Sequence, residues 1–303
     1  MSPDTCPETA YADGIRSALL ELLFLGTAAS EGYPDAFCAC PNCEQARALG
    51  GRSLRKRSAA LIDDILLCDL GPDLMAAAIA HGVSLTGVRW CIQTHEHQDH
   101  LDPSHLLSRS PLCGVPDAPL LTWYASHGAL CRAAEVLGDH VPEDGLLDPE
   151  IGDRLNLRVC PIDPGESFLA GPYRVTAVPA AHGRGISPLL YVIERNGRAI
   201  FYGTDTGPLP ELAWEVLRGW SGALDLVILD HTFGLEDRAT GHMNADQFRE
   251  QIVRMRDERL LSPKCRVIAH HLGHHSNPDH ETLQAMATEW GYEVAYDGMR
   301  VTV

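Results

Sequence analysis

The chain has 303 residues, 24 Lys+Arg against 41 Asp+Glu, and a formal net charge of −17. It is 45% apolar, which reads as globular, and it is long enough to bury a core without staples. So acidic a chain lacks the field that draws in nucleic acid or an anionic membrane, so neither is expected as a partner; a small anion held at a local positive site is still compatible.

The opening residues, MSPDTCPETAYADG, show neither the basic region nor the apolar run of a secretory signal. No stretch approaches about 18 continuous apolar residues, so no membrane span is expected. Ten cysteines in such a chain are expected as reduced thiols or metal ligands, and the location as cytoplasmic. Residues 1–17 read as an extension, and 18–303 as a single domain with a less regular insertion around 101–170.

In chain order, the pattern predicts a strand over 18–25, a cysteine-rich loop, and a helix near 44–49. The basic stretch 52–57 reads as a solvated loop. Strands follow over 58–62 and 65–69 around the Asp63-Asp64 turn, then a helix over 74–81 and a strand over 88–94. A helix is expected over 129–137 and a strand over 173–181. Strands over 190–195 and 199–203 flank Asn196-Gly197, a strong hairpin signal. Helices over 210–218, 245–258 and 278–290 then alternate with strands over 225–230 and 266–270, before a last strand pair. Hairpins first and β–α alternation later make a layered α/β protein.

The sharpest feature is Thr94-His95-Glu96-His97-Gln98-Asp99-His100, at the end of a strand. His95 and His97, at i and i+2, project to the same side of an extended segment. Asp99 and His100 offer a second pair, so one short loop can supply part of two adjacent metal sites. His182, Asp205 and His271 also follow strands, where α/β proteins collect their sites. A carboxylate between two metals can bridge them, and Asp205 is placed for that. Each of these residues alone reads more readily as a turn or capping residue.

Cys38, Cys40 and Cys43 lie within six residues, tight enough to fold around one Zn²⁺, which takes four S or N ligands. The fourth must come from elsewhere. His274 is the expected donor, with His270 and His275 as alternatives, and a redox or simply buried cysteine cluster is the competing reading.

THEHQDH, Asp69 in LLCDLGPD, His182, Asp205 in GTDTG and His271 together resemble the metallo-β-lactamase superfamily of hydrolases, over residues 18–303. The resemblance implies an αββα sandwich, two central mixed sheets covered by helices, with a two-metal site on one edge. One metal would take His95, His97 and His182, and the other Asp99, His100 and His271. Asp205 would lie between them, and Asp69 would orient the metal loop.

The segments LGTAASEGYPDAFCACPNC, GHMN, HHLGHHSNP and VAYDGMRVTV resemble two subgroups. One is the phosphoribosyl cyclic phosphate phosphodiesterases, whose structural zinc is held by three Cys and one His, matching Cys38, Cys40, Cys43 and His274. The other is the PqqB-type proteins of pyrroloquinoline quinone biosynthesis, which fit CPNC, AYDGM and the chain length but typically carry an eroded metal loop. The intact loop favours the first subgroup; the length favours the second.

The first resemblance implies a phosphodiesterase that opens a small cyclic or ribosyl phosphate by attack of hydroxide from the metal pair. Asp99 and His242 would be catalytic, with His242 at the position of a proton-donating His, and Arg184 would hold a phosphate oxygen. His242 reads equally as a neighbour of an N-cap at Asn244, whereas Arg184 reads more readily as an exposed loop residue. The second implies a maturation enzyme or oxygenase on a modified amino acid or peptide. The implied cofactors are two divalent ions (Zn or Mn, with Fe an alternative) and one structural Zn. Oligomeric state is open, a homodimer being compatible.

Overall fold

The computed structural model describes residues 19–141, 145–236 and 241–303. The expected extension 1–17 lies outside them. In chain order the elements are β1 (Glu21–Gly26), α1 (Pro41–Leu49), β2 (Ala59–Ile62), β3 (Leu66–Cys68), α2 (Leu74–His81), β4 (Trp90–Ile92), α3 (Ser104–Ser108), β5 (Leu121–Ala125), α4 (His127–Leu137), α5 (Pro149–Leu155) and β6 (Leu157–Pro161). Then come β7 (Ser167–Ala170), β8 (Tyr173–Pro179), β9 (Leu189–Arg195), β10 (Arg198–Gly203), α6 (Glu211–Gly219), β11 (Leu224–Asp230), α7 (Ala245–Asp257), β12 (Leu261–His270), α8 (His280–Trp290), β13 (Glu293–Val294) and β14 (Arg300–Thr302).

The strands form two seven-stranded sheets, ordered β14-β1-β2-β3-β4-β5-β6 and β13-β12-β11-β10-β9-β8-β7. The period-2 alternation of side chains divides the interior into three layers. Along β9, Leu189, Tyr191 and Ile193 face the space between the sheets, while Leu190 and Val192 face outward with Trp214, Phe248 and Leu283 of the covering helices. Along β1, Leu22 and Phe24 point inward, and Leu23 and Leu25 join Leu74, Trp123, Leu130 and Ile151 on the other outer face. Helices over both outer faces and two sheets between them make an αββα sandwich, as expected.

Three departures from the sequence reading have physical causes. The stretch 101–170, set apart as an insertion, supplies β5 and β6, which pair in parallel beyond β4 and complete the first sheet. Their apolar runs are short and interrupted, so periodicity alone did not reveal them. The last strands do not pair with each other: β13 extends the second sheet and β14 pairs with β1 in the first, so the tail crosses between layers. The basic stretch is not all solvated. Arg55 is buried, donating to Thr27 Oγ1 and the Ala295 carbonyl and lying 3.0 Å from His280 Nδ1, while Arg57 pairs with Asp73. Cys68, Cys91, Cys113, Cys131 and Cys265 are free thiols.

Strand direction decides which ends meet. β10, β11 and β12 run parallel, β9 runs against β10, and β8 runs against β9, so β8, β10, β11 and β12 all end on the same edge. The Leu189 N–H donates to the Thr94 carbonyl at 2.8 Å, which brings the segment after β4 to that edge as well.

Gly171, in the β7–β8 turn, lets the second sheet close onto the first. A Cβ there would lie 2.2 Å from the Trp90 ring, at a φ of +60°. Gly171→Ala is expected to lower stability by about 1–3 kcal/mol through overpacking and left-handed strain, seen as a lower urea midpoint with unchanged m-value.

Candidate metal centre

The shared edge gathers the donors from four strand ends. His95, His97, Asp99 and His100 follow β4, His182 follows β8, Asp205 follows β10, and His271 follows β12. Asp230, the last residue of β11, joins them from a fifth. Two donor sets are built on that loop, His95, His97, His182 and Asp205, and Asp99, His100, Asp205 and His271, and Asp205, Asp230, His242 and His271 form a third group beside them; within each the donor atoms lie within 4.8 Å of one another.

Asp205 Oδ2 is the common point. It lies 3.3 Å from His182 Nε2, 3.5 Å from both His95 Nε2 and His100 Nε2, and 3.6 Å from His271 Nε2. Asp99 Oδ2 is 3.3 Å from His100 Nε2 and 3.5 Å from His271 Nε2. Bonds of about 2.1 Å in a tetrahedral shell put ligand atoms roughly 3.4 Å apart, so the spacing matches donors disposed around an ion. His95 Nε2 is buried without a hydrogen-bond partner, which is costly for a polar atom unless it has a ligand. The residues therefore fit divalent metal.

The outward nitrogens are held in turn. His100 Nδ1 is 2.8 Å from Asp69 Oδ2, His271 Nδ1 is 2.9 Å from Thr232 Oγ1, and His182 Nδ1 is 2.9 Å from the Gly241 carbonyl. Such partners fix which nitrogen faces the metal. Asp69, fully buried, also accepts from the Thr94 N–H at 2.7 Å and from Gln93 Nε2 at 3.0 Å, so one carboxylate organises the start and end of the THEHQDH loop. Asp69 and His271 have φ of 70° and 58°, uncommon for non-glycine residues and tolerated where surroundings over-determine the backbone.

Burial and close charges shift the ionisation of these groups. Burial pushes His95 well below the usual imidazole range, helped by the neighbouring His100. Burial opposes ionisation of Asp99 too, but the charge and hydrogen bond of His100 outweigh it, and its carboxyl falls far below the usual range. For His242, burial works against the cation, but Asp230 and Asp205 raise it to about 11.

His242 enters this centre. Its Nδ1 lies 2.8 Å from Asp205 Oδ1, 3.0 Å from Asp230 Oδ2 and 3.1 Å from Thr232 Oγ1. The next residue but one, Asn244, caps α7 in a capping box, so the helix start and the placement of His242 share one turn. Asp230 and Thr232 were missed in the sequence. The available signal was an apolar run ending in Asp, as in the β10 segment that ends before Asp205. Arg184 sits exposed on the loop after His182.

A second cluster lies beside the first. Cys38, Cys40, Cys43 and His274 place four donor atoms within 4.8 Å of one another. Cys43 Sγ is 3.3 Å and Cys40 Sγ 3.8 Å from His274 Nδ1, and His274 Nε2 is 3.7 Å from Asp35 Oδ2. Of the alternatives, His270 is buried against Thr204 and Gly26, and His275 faces Glu236. Cys40 caps α1, accepting from the Cys43 N–H. Against the cost of burial, His274 and that N–H hold the Cys40 thiol down at about 6, whereas burial pushes Cys43 up to about 12.

Fold and edge together are those of a metallo-β-lactamase-fold hydrolase, a fold that implies divalent metal binding. The model of the beta-lactamase superfamily domain matches residues 65–262, and the chain belongs to that family. Coenzyme PQQ synthesis protein B of Klebsiella pneumoniae (strain 342) is 25% identical over 321 residues, covering 92% of this chain and 97% of that protein. Among solved structures, a diphosphatase from the PhnP family superposes with a TM-score of 0.68 at 21% identity, covering 94% of this chain and 97% of that one. Zn²⁺-bound PqqB from Methylobacterium extorquens superposes at 0.64 with 20% identity, covering 93% and 99%. Among the described residues no helix is long and apolar enough to cross a membrane.

Two variants test the clusters. Asp69→Asn is expected to weaken metal affinity at the main centre by about 10–100-fold, measured by chelator competition, because His100 loses its orienting charge. Cys40→Ser is expected to lose one zinc per chain by elemental analysis and to melt several degrees lower; full metal content with an unchanged melt would refute a structural zinc.

Proposed function

We propose that this chain is a phosphodiesterase acting on a small anionic phosphate ester, cyclic or ribosyl, with two divalent ions (Zn or Mn). His95, His97 and His182 would hold one ion, Asp99, His100 and His271 the other, and Asp205, common to both donor sets, would serve both. Cys38, Cys40, Cys43 and His274 hold a separate structural zinc. Bound at the main centre, a metal pair would polarise a phosphoryl oxygen and lower the pKa of a water.

The observation that carries this reading is the placement of His242. Its Nδ1 is hydrogen-bonded to Asp230, with Asp205 Oδ1 2.8 Å away, so Nε2 is the nitrogen left for a substrate. The two carboxylates fix the ring and favour its protonated form, so His242 delivers a proton to the oxygen leaving phosphorus. Asp230 positions His242, and Thr232 links it to His271. The acidic exterior does not oppose an anionic substrate, since the attraction comes from metal charge at short range. The likeness to a PhnP-family diphosphatase is in keeping with phosphorus chemistry at this edge.

A second reading rests on the near full-length match to coenzyme PQQ synthesis protein B. Under it, the same centre serves the maturation of that cofactor, acting on a modified amino acid or peptide precursor, with iron as the alternative metal.

Turnover of phosphodiesters by metal-loaded protein separates the two. Under the first reading, bis(p-nitrophenyl) phosphate and cyclic nucleotides are hydrolysed and Asp99→Ala abolishes it. His242→Gln is expected to slow alkyl esters by about 100-fold or more, yet to affect p-nitrophenyl esters far less, because that leaving group needs no proton. Full turnover in Asp99→Ala, or no turnover by metal-replete protein, would sink the phosphodiesterase. Bound iron with oxygen uptake on tyrosine-derived substrates would establish the second reading.

A further inference from the structure

Three rings border His242. The His182 ring centroid lies at 4.8 Å, the His271 ring is stacked at 5.7 Å and 13°, and the Phe233 ring stands edge-on at 5.5 Å and 69°. His182 and His271 belong to the two donor sets. Phe233 belongs to neither and is only partly buried. Beyond it stands His275, at 5.8 Å and 73°, with its side chain 38% exposed. A series of ring contacts thus runs from the donor sets outward through His242 and Phe233 to His275.

We infer that Phe233 and His275 form the wall against which the leaving half of the substrate packs, and that this wall selects substrates carrying a flat aromatic ring there. The inference rests on the phosphodiesterase reading for the direction of the substrate. In that reaction a water oxygen bonds to phosphorus, the ester P–O bond breaks with its electron pair on the leaving oxygen, and that oxygen takes the proton from His242 Nε2. The proton released by the water restores His242. The leaving oxygen therefore sits at His242, and whatever it carries extends past the one bordering ring outside the donor sets. A partly exposed phenyl ring standing roughly perpendicular to its imidazole neighbours offers a ring both offset-stacking and edge-on contacts.

The backbone that carries the wall is tied down, which lowers the ordering cost of those contacts. The Phe233 N–H donates to the Met243 carbonyl at 3.0 Å, and the Phe233 carbonyl accepts from the Glu236 N–H at 2.8 Å. The turn is pressed onto the segment that carries His275: the Leu235 N–H donates to the Ser276 carbonyl at 3.0 Å, and a Cβ on Gly234 would lie 2.4 Å from that oxygen.

The test uses two ligands that cannot be hydrolysed, phenylphosphonate and methylphosphonate, titrated calorimetrically into the metal-loaded protein. The wild type is expected to prefer phenylphosphonate by about tenfold, the preference to fall towards one in Phe233→Ala, and Phe233→Leu to lie between. Equal preference in the wild type and Phe233→Ala, or no preference in the wild type, would overturn the wall. If Phe233→Ala does not fold, a full preference in Phe233→Leu overturns it. A wild type that keeps the preference yet hydrolyses no phosphodiester would refute the phosphodiesterase and leave the wall standing.

Discussion

Four imidazole nitrogens within 3.6 Å of a single buried carboxylate oxygen, Asp205 Oδ2, is the constraint around which the rest of this structure is arranged. Polar atoms packed so closely, away from water, are costly unless something of opposite character satisfies them together. The strand-end geometry that produces the cluster cannot be relaxed locally, because the donors come from both sheets. β4 carries its donors from the first sheet, and β8, β10 and β12 carry theirs from the second. The interior layer between the sheets, built from residues such as Phe24, Trp90, Tyr191 and Ile268, is what holds those edges in register.

Around this point the structure adds support in shells. Asp69 and Gln93 grip the THEHQDH loop from beneath, and Thr232 ties His271 to Asp230 and His242. The cysteine cluster acts on the His271 loop from the outside. His274 lies three residues past His271, and Asn42 next to Cys43 donates to the His274 carbonyl, so whatever fixes the cysteines also limits the movement of a main-centre donor. Buried Arg55 joins the loop after β1, the tail near Ala295 and α8 behind that assembly. The metal edge is thus braced by segments from near both ends of the chain.

Much of this was legible in the sequence. Helix 74–81, the 190–203 hairpin and the later β–α alternation follow from periodicity and turn residues, which are local properties. The seven residues expected at the main centre come together in two sets sharing Asp205, and the four expected at the cysteine cluster also meet. Long-range placement was less legible. β5 and β6 were hidden in a stretch with no clean period, and β13 and β14 look like neighbours in sequence although they lie in different sheets. Asp230 carried only the signal of an apolar run ending in an acid, which many strands share.

The sequence by itself determined the alternation of apolar residues, the donor types and the spacing of the THEHQDH and cysteine segments, because these depend on neighbours a few residues apart. Only the tertiary structure decided that His242 turns Nδ1 to two carboxylates, that Phe233 stands beside it and that Arg55 is buried. Those outcomes depend on which strand ends share an edge, and that is set by the packing of two sheets over distances that local pattern does not encode.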